Sequence, residues 1–187
     1  MYSYIARQPI FDREMRTIAY ELLFRDGMNN AFPDVSPEYA TSRVISDQFL
    51  CIPVPRIACS HSAYINVPHQ MLISGLGDAL PHENVVIEIL ENAIPDERLF
   101  DAVKDLHNKG YQLALDDFTM KDSWDRFLRY ISVIKFDIRG NSYQDILHYI
   151  NVKQDWLKAT EFLAEKVETK EEFDLYRSAG FSFFQGY

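Results

Sequence analysis

The sequence predicts an α/β protein, a compact TIM-like (β/α)8 barrel with an antiparallel first strand pair. Three observations carry this. Two β-rich runs, Tyr4-Ile-Ala and Thr17 to Phe24, are joined by only Phe11 to Arg16, short enough for a hairpin and too short for a parallel crossover. After them, apolar runs alternate with helical patterns, the order that builds a parallel sheet. Nearly every run also carries a polar residue at or near its C-terminal end, and in a barrel those ends meet at one face. An open doubly wound sheet is the alternative, and no G-x-G-x-x-G opens any helix.

The elements follow in order. Gly27 to Pro37 is a polar loop, and Ser36-Pro37-Glu38 starts a helix through Leu50, with serine as N-cap and proline at the first helical position. Ala63-Tyr-Ile-Asn-Val67 reads as a strand, followed by a short helical segment opened by Pro68. Asn84 to Leu90 is the next strand, and Pro95 opens a helix that stops at Lys109-Gly110. Tyr111 to Asp116 is a buried strand in which Leu113 and Leu115 face one layer and Ala114 and Asp116 the other. A helical segment near Ser123 to Tyr130, a strand Ser132 to Asp137 and a helix near Tyr143 to Asn151 follow. The last elements are a strand Thr160 to Glu165, a helix Lys170 to Ala179 and a strand Phe181 to Gln185.

Asp116-Asp117 is the stretch around which the rest is arranged. Two adjacent carboxylates at a buried strand end repel each other unless a cation or strong donors neutralise them. A divalent metal would do so, and a helix N-cap is the plain structural alternative. The other strands tip the balance toward metal. Glu21, Asn66, Glu88, Lys135, Asp137, Glu165 and Gln185 also fall on predicted strands, and buried charges in that number are costly if they serve stability alone. Lys135 and Asp137 are two apart and point to one face. Glu165 and Glu168 flank a strand exit, where one can bind metal or take a proton from water while the other orients it. Oxygen-rich sites favour Mg²⁺ or Mn²⁺, and two such ions suit phosphodiester hydrolysis.

The chain has 187 residues, 47% of them hydrophobic and 25% charged, with a formal net charge of −9. One domain of that size buries a full core. No basic block offers a surface for long nucleic acid, and no apolar run has membrane-spanning length. Cys51 and Cys59 lack the spacing of a zinc site and fit two thiols in a reducing cytoplasm; the five histidines share no ligand spacing.

In this order the motifs resemble the EAL domains, bacterial barrels that hydrolyse cyclic di-GMP to linear pGpG with Mg²⁺ or Mn²⁺. Gln8-Pro9-Ile10 is similar to the opening QPI, Glu21-Leu-Leu-Phe-Arg25 to E-A-L-L-R, and Glu88-Ile-Leu-Glu91 to E-L-T-E. Asp116-Asp117-Phe118 resembles the start of D-D-F-G-T-G, and Ile134-Lys-Phe-Asp137 resembles I-K-I-D. Ala164-Glu-Lys-Val-Glu-Thr169 stands for A-E-G-V-E-T, and Gln185-Gly-Tyr187 for the closing Q-G-Y. The resemblance implies Glu21, Asn66, Glu88, Asp116 and Asp117 as metal ligands, with Asp116 between two ions. It implies catalytic roles for Glu165, Lys135 and Glu168 and substrate contacts for Gln8, Arg25 and Gln185. Glu91 and Asp137 take supporting roles, Glu91 as the anchor of the loop after Asp117 and Asp137 as a partner of Lys135.

Departures from the family pattern define a second reading. Leu22 replaces alanine and Leu90 replaces threonine; Thr119-Met-Lys-Asp-Ser replaces the glycine-containing loop that in the family joins the metal site to the dimer interface; Lys166 replaces glycine beside Glu165. These leave open a degenerate EAL domain that binds cyclic di-GMP or a protein partner without hydrolysis. The opening A-R-Q-P-I-F-D-R-E resembles the EAL half of EAL–HDOD signalling proteins. Residues 1–187 are therefore expected to be one barrel domain followed in the full protein by a C-terminal HDOD domain, with a homodimer also implied.

Overall fold

A computed structural model describes residues 3–26, 58, 61–75 and 80–186, and the side chains of all of these except 3–5 and 24–26. The expected helix over 36–50, Cys51, Cys59 and the Arg25 side chain lie outside that set.

Eight strands close into a barrel in sequence order. β1 (Ser3–Phe11) and β2 (Thr17–Asp26) form the antiparallel hairpin, and the next six are β3 (Ser62–Val67), β4 (Val85–Ile89), β5 (Gln112–Leu115), β6 (Val133–Asp137), β7 (Glu161–Val167) and β8 (Phe183–Gly186). From β2 to β8 every pairing is parallel, and an antiparallel bridge at Phe11 and Phe184 closes the ring. β1 is longer than the sequence suggests. Pro9 has no N–H for a ladder, but β1 meets β8 only at Phe11, so the missing donor costs no pairing on that side.

Local chemistry sets the helices. Asp96 caps the helix Glu97–Asn108 by accepting from the Leu99 N–H at 2.9 Å, and Gly110 leaves it at φ +90°, where a side chain would be strained. Ser142 caps Tyr143–Val152 through the Asp145 N–H, and Thr169 with Glu172 forms a capping box on Lys170–Ser178. The segment after Asp117 is a 3-10 helix, Asp122–Tyr130, fixed by Phe127 packed edge-on against Phe100. Neither Asp116 nor Asp117 caps it, since Lys121 occupies the N-cap position.

Strand period two divides the interior into layers. One set of side chains, including Leu22, Ile65, Ile87, Leu113, Leu115, Ile134 and Phe136, packs outward with residues of the surrounding helices. The other set fills the barrel with Ile10, Ala19, Tyr64, Val86, Ala114, Val133 and Leu163, and Phe183 packs against it. Two residues further toward the C-terminal mouth, each parallel strand turns polar: Glu21, Asn66, Glu88, Asp116, Lys135, Glu165 and Gln185 follow those apolar positions. β1 runs the other way, so its Gln8 lies opposite Glu21 and its Ile10 opposite Ala19. A dry apolar plug thus supports a ring of polar side chains contributed by every strand.

Candidate metal and catalytic centre

Lys135 stands at the centre of that ring with no exposed surface. Its Nζ lies 2.6 Å from Asp116 Oδ1, 2.7 Å from Glu88 Oε1, and 3.1 Å from both Glu21 Oε2 and Glu165 Oε1. An ammonium has three protons, and here it faces four carboxylates. Well-directed hydrogen bonds reach Glu21 and Asp116, and Glu88 and Glu165 complete the cluster as ion pairs. Glu21 is the best satisfied of the four, because Asn66 Nδ2 donates to Oε1 at 3.0 Å and Gln185 Nε2 to Oε2 at 2.8 Å.

Ionisation follows this geometry. Burial pushes the Glu21 carboxyl up, but the Lys135 charge and the amides of Gln185 and Asn66 outweigh it and hold the group below its ordinary range. Burial drives Glu88 well above its ordinary value, Lys135 notwithstanding. Asp116 is raised for the same reason, opposed by Lys135 and reinforced by Glu21 and Asp117. Glu165 is raised to about 7, by burial first and then by Asp116 and Asp117 against the pull of Lys135. Burial alone would lower Lys135, yet the surrounding carboxylates lift it well above the usual lysine value.

The remaining acceptors test whether these residues suit a metal ion. Asn66 Oδ1, both Glu88 oxygens, Asp117 Oδ1, Glu165 Oε2 and Gln185 Oε1 are buried and receive no hydrogen bond among the described residues. Unsatisfied buried oxygens are costly, and a carboxylate, amide-carbonyl set of this kind is the donor chemistry of hard divalent cations. The residues therefore fit the group. Among the described residues no three His, Cys, Asp or Glu side chains are already grouped as a cage, because Lys135 sits between the carboxylates.

The other expected site residues divide. Asp117 leaves β5 at φ +41° and keeps Oδ1 buried beside the ring. Gln8 is half-buried opposite Glu21, and its side chain makes no hydrogen bond among the described residues. The Arg25 backbone pairs with Tyr4. Gln185 is buried, and its amide nitrogen donates to Glu21, which braces that carboxylate. Glu168 does not join the ring. It is half-exposed, 3.4 Å from Arg139 Nη2, and lines a groove of about 560 Å³ between the β1–β2 hairpin and the helix Lys170–Ser178. Glu91 is exposed and has no polar partner among the described residues. Asp137 is not bonded to Lys135: its Oδ2 takes Lys166 Nζ at 2.5 Å and its Oδ1 the Arg139 N–H at 2.7 Å.

The part played by Lys166 escapes strand periodicity. Strand β7 shifts register between Ala164 and Val167, and Lys166 sits at φ +60°, which returns its chain toward the mouth. Its Nζ is also 3.8 Å from Asp117 Oδ1. A lysine standing where the related motif has glycine was the signal available in the sequence.

No family model matches the chain. It is 46% identical, over 187 residues and 99% of its length, to the cyclic di-GMP phosphodiesterase CdgJ of Vibrio cholerae, and covers 43% of that protein. It is 31% identical, over its full length, to YuxH of Bacillus subtilis, and covers 46% of it. The chain thus spans about half the length of the curated relatives it matches. Among solved structures it superposes on the Klebsiella pneumoniae BlrP1 manganese and cyclic di-GMP complex with a TM-score of 0.78 at 22% identity, covering 100% of this chain and 55% of that one. Bacillus subtilis YkuI, a protein with an EAL domain solved with cyclic di-GMP and calcium, gives 0.74 at 19% identity, covering 99% and 54%. The chain has the fold of the EAL domains. The closed barrel with its antiparallel hairpin is the part of the structure those comparisons share, and among the described residues no helix is long and apolar enough to cross a membrane.

Proposed function

We propose that this EAL domain hydrolyses cyclic di-GMP to pGpG with Mg²⁺ or Mn²⁺. The observation that carries the reading is the ring of Glu21, Glu88, Asp116 and Glu165 around one fully buried ammonium, with Asn66 bonded to Glu21 and several buried oxygens left without a hydrogen-bond partner. CdgJ is named as such a phosphodiesterase, and BlrP1 was solved with manganese and the same nucleotide.

In this mechanism Glu21, Asn66, Glu88 and Asp116 would hold a divalent metal, and Asp117 would join them where a second ion binds. When bound, such ions polarise a phosphoryl oxygen and make a bound water acidic near neutral pH. Glu165, titrating at about 7, takes the proton of the attacking water. The water oxygen adds to phosphorus, the bond from phosphorus to the 3′ oxygen breaks, and the 3′ oxygen leaves as a hydroxyl with the proton that Glu165 took from the water. Lys135 holds the ligand carboxylates in register and offsets their charge, and Gln185 and Asn66 fix Glu21. Gln8, at the polar layer, and Arg25 supply contacts to the nucleotide. Glu168 acts at the rim, through Arg139, rather than on the water.

A binding-only EAL domain is the second reading, favoured by one observation. The loop after Asp117 lacks glycine yet places Asp117 and Met120 at φ +41° and +57°, a stiffer path than glycine would give. In either case the domain would serve cytoplasmic signalling, with an HDOD domain, another signalling protein or a second copy as regulator. Incubation with cyclic di-GMP and Mn²⁺, followed by chromatography, separates the readings. Appearance of pGpG, abolished by chelator, supports hydrolysis; bound but unconverted nucleotide supports the second reading.

A further inference from the structure

Lys166 is an expensive residue for its position. A non-glycine residue in the left-handed region is strained, and glycine would avoid this. The lysine nevertheless bends into the mouth through the β7 irregularity, with Nζ 2.5 Å from Asp137 Oδ2 and 3.8 Å from Asp117 Oδ1. Asp137 is locked in place from its other oxygen by the Arg139 N–H. The result is a second ammonium beside the carboxylate ring, on the side of Asp117, whose Oδ1 is buried and receives no directed hydrogen bond.

We propose that Lys166 is a tethered cation taking the place of one metal ion at the Asp117 side of the mouth, so that the chain binds a single divalent ion through Glu21, Asn66, Glu88 and Asp116. The inference rests on the metal reading of the site. Charge neutralisation near Asp117 is local and intramolecular, so a soluble ion gains little by competing for it. Asp137 holds the lysine in place, which accounts for its carboxylate being turned from Lys135 to Lys166. Consistent with this arrangement, the hydrogen bond to Asp137 raises the Lys166 pKa above the usual lysine value.

The test is metal stoichiometry. Wild type, Lys166→Gly and Lys166→Asn are titrated with MnCl₂ at neutral pH, and bound ion is counted by equilibrium dialysis. Spin coupling between neighbouring Mn²⁺ ions is read by electron paramagnetic resonance. Glycine and asparagine both suit the positive φ and remove the charge, so melting temperatures at or above wild type show that the variants fold. The expected result is one uncoupled ion in wild type and two coupled ions in both variants. Two ions in wild type, or one in every protein, overturns the proposal while leaving the metal reading intact. No ion in any of the three overturns both, since Lys166 would have no ion to replace.

Discussion

Replacing Lys135 with methionine removes the ammonium and keeps nearly the same chain length, so it isolates the charge. The four carboxylates at 2.6, 2.7, 3.1 and 3.1 Å then share a buried mouth with no counter-ion. Breaking a buried ion pair by removing one partner costs about 3–5 kcal/mol. At roughly 2–4 °C per kcal/mol for a chain of this size, the melting temperature should fall by about 6–20 °C. The loss depends on pH. Glu88, Asp116 and Glu165 have folded-state pKa values above their ordinary ones, so their favourable contribution is complete below the ordinary carboxylate pKa and is lost as pH rises through the folded value, about 7 for Glu165. Without Lys135 those values rise further. Lys135→Met should therefore melt close to wild type at acid pH and far below it at pH above 7, with Mn²⁺ recovering part of the difference. The assay is thermal unfolding followed by circular dichroism across pH, with and without MnCl₂. A variant that melts with wild type at every pH would refute the view that the ring is held by this ammonium.

Further outcomes follow from the same geometry. Metal-free wild type should lose stability between the ordinary glutamate pKa and about 7, and Glu165→Gln should lose less over that range, as read by urea unfolding at fixed pH steps. Glu165→Gln should also retain cyclic di-GMP while hydrolysing it about 10²–10⁴-fold more slowly, by analogy with other general bases; an unchanged rate removes Glu165 from the chemistry. Asp116→Asn should weaken Mn²⁺ binding about 100-fold or more and Asp137→Asn about tenfold or less, by calorimetry; equal losses would contradict the ranking. Gly186→Ala would put a Cβ 1.8 Å from the Val167 carbonyl oxygen, a backbone clash, and should destabilise by at least about 1–3 kcal/mol. A melting temperature equal to wild type would show that β7 and β8 are not so closely apposed.

Much of this was legible because strand periodicity is rigid. Ala114 to Asp116 and Val133 to Lys135 are each one step of two, and both land where alternation puts them. β1 runs past the apolar run Tyr4-Ile-Ala through Gln8-Pro9-Ile10, where Pro9 still pairs with Tyr20 and β8 meets β1 only at Phe11. Alternation failed beyond Glu165, where the register shift and the positive φ of Lys166 break the period; Glu168 is thereby carried to the rim and Lys166 toward Asp137. Asp137 misled for a related reason. Its spacing from Lys135 gives the correct face, but its partner comes from the irregular exit of the neighbouring strand. Long-range pairing at a bulge has no sequence period to reveal it.

Whether the carboxylate ring holds a divalent metal is read by diffraction from crystals soaked in MnCl₂, with data collected at the manganese absorption edge. An anomalous peak bounded by Glu21, Asn66, Glu88 and Asp116 is the expected result. A peak elsewhere, or none at that position in crystals that show manganese by fluorescence, would contradict it.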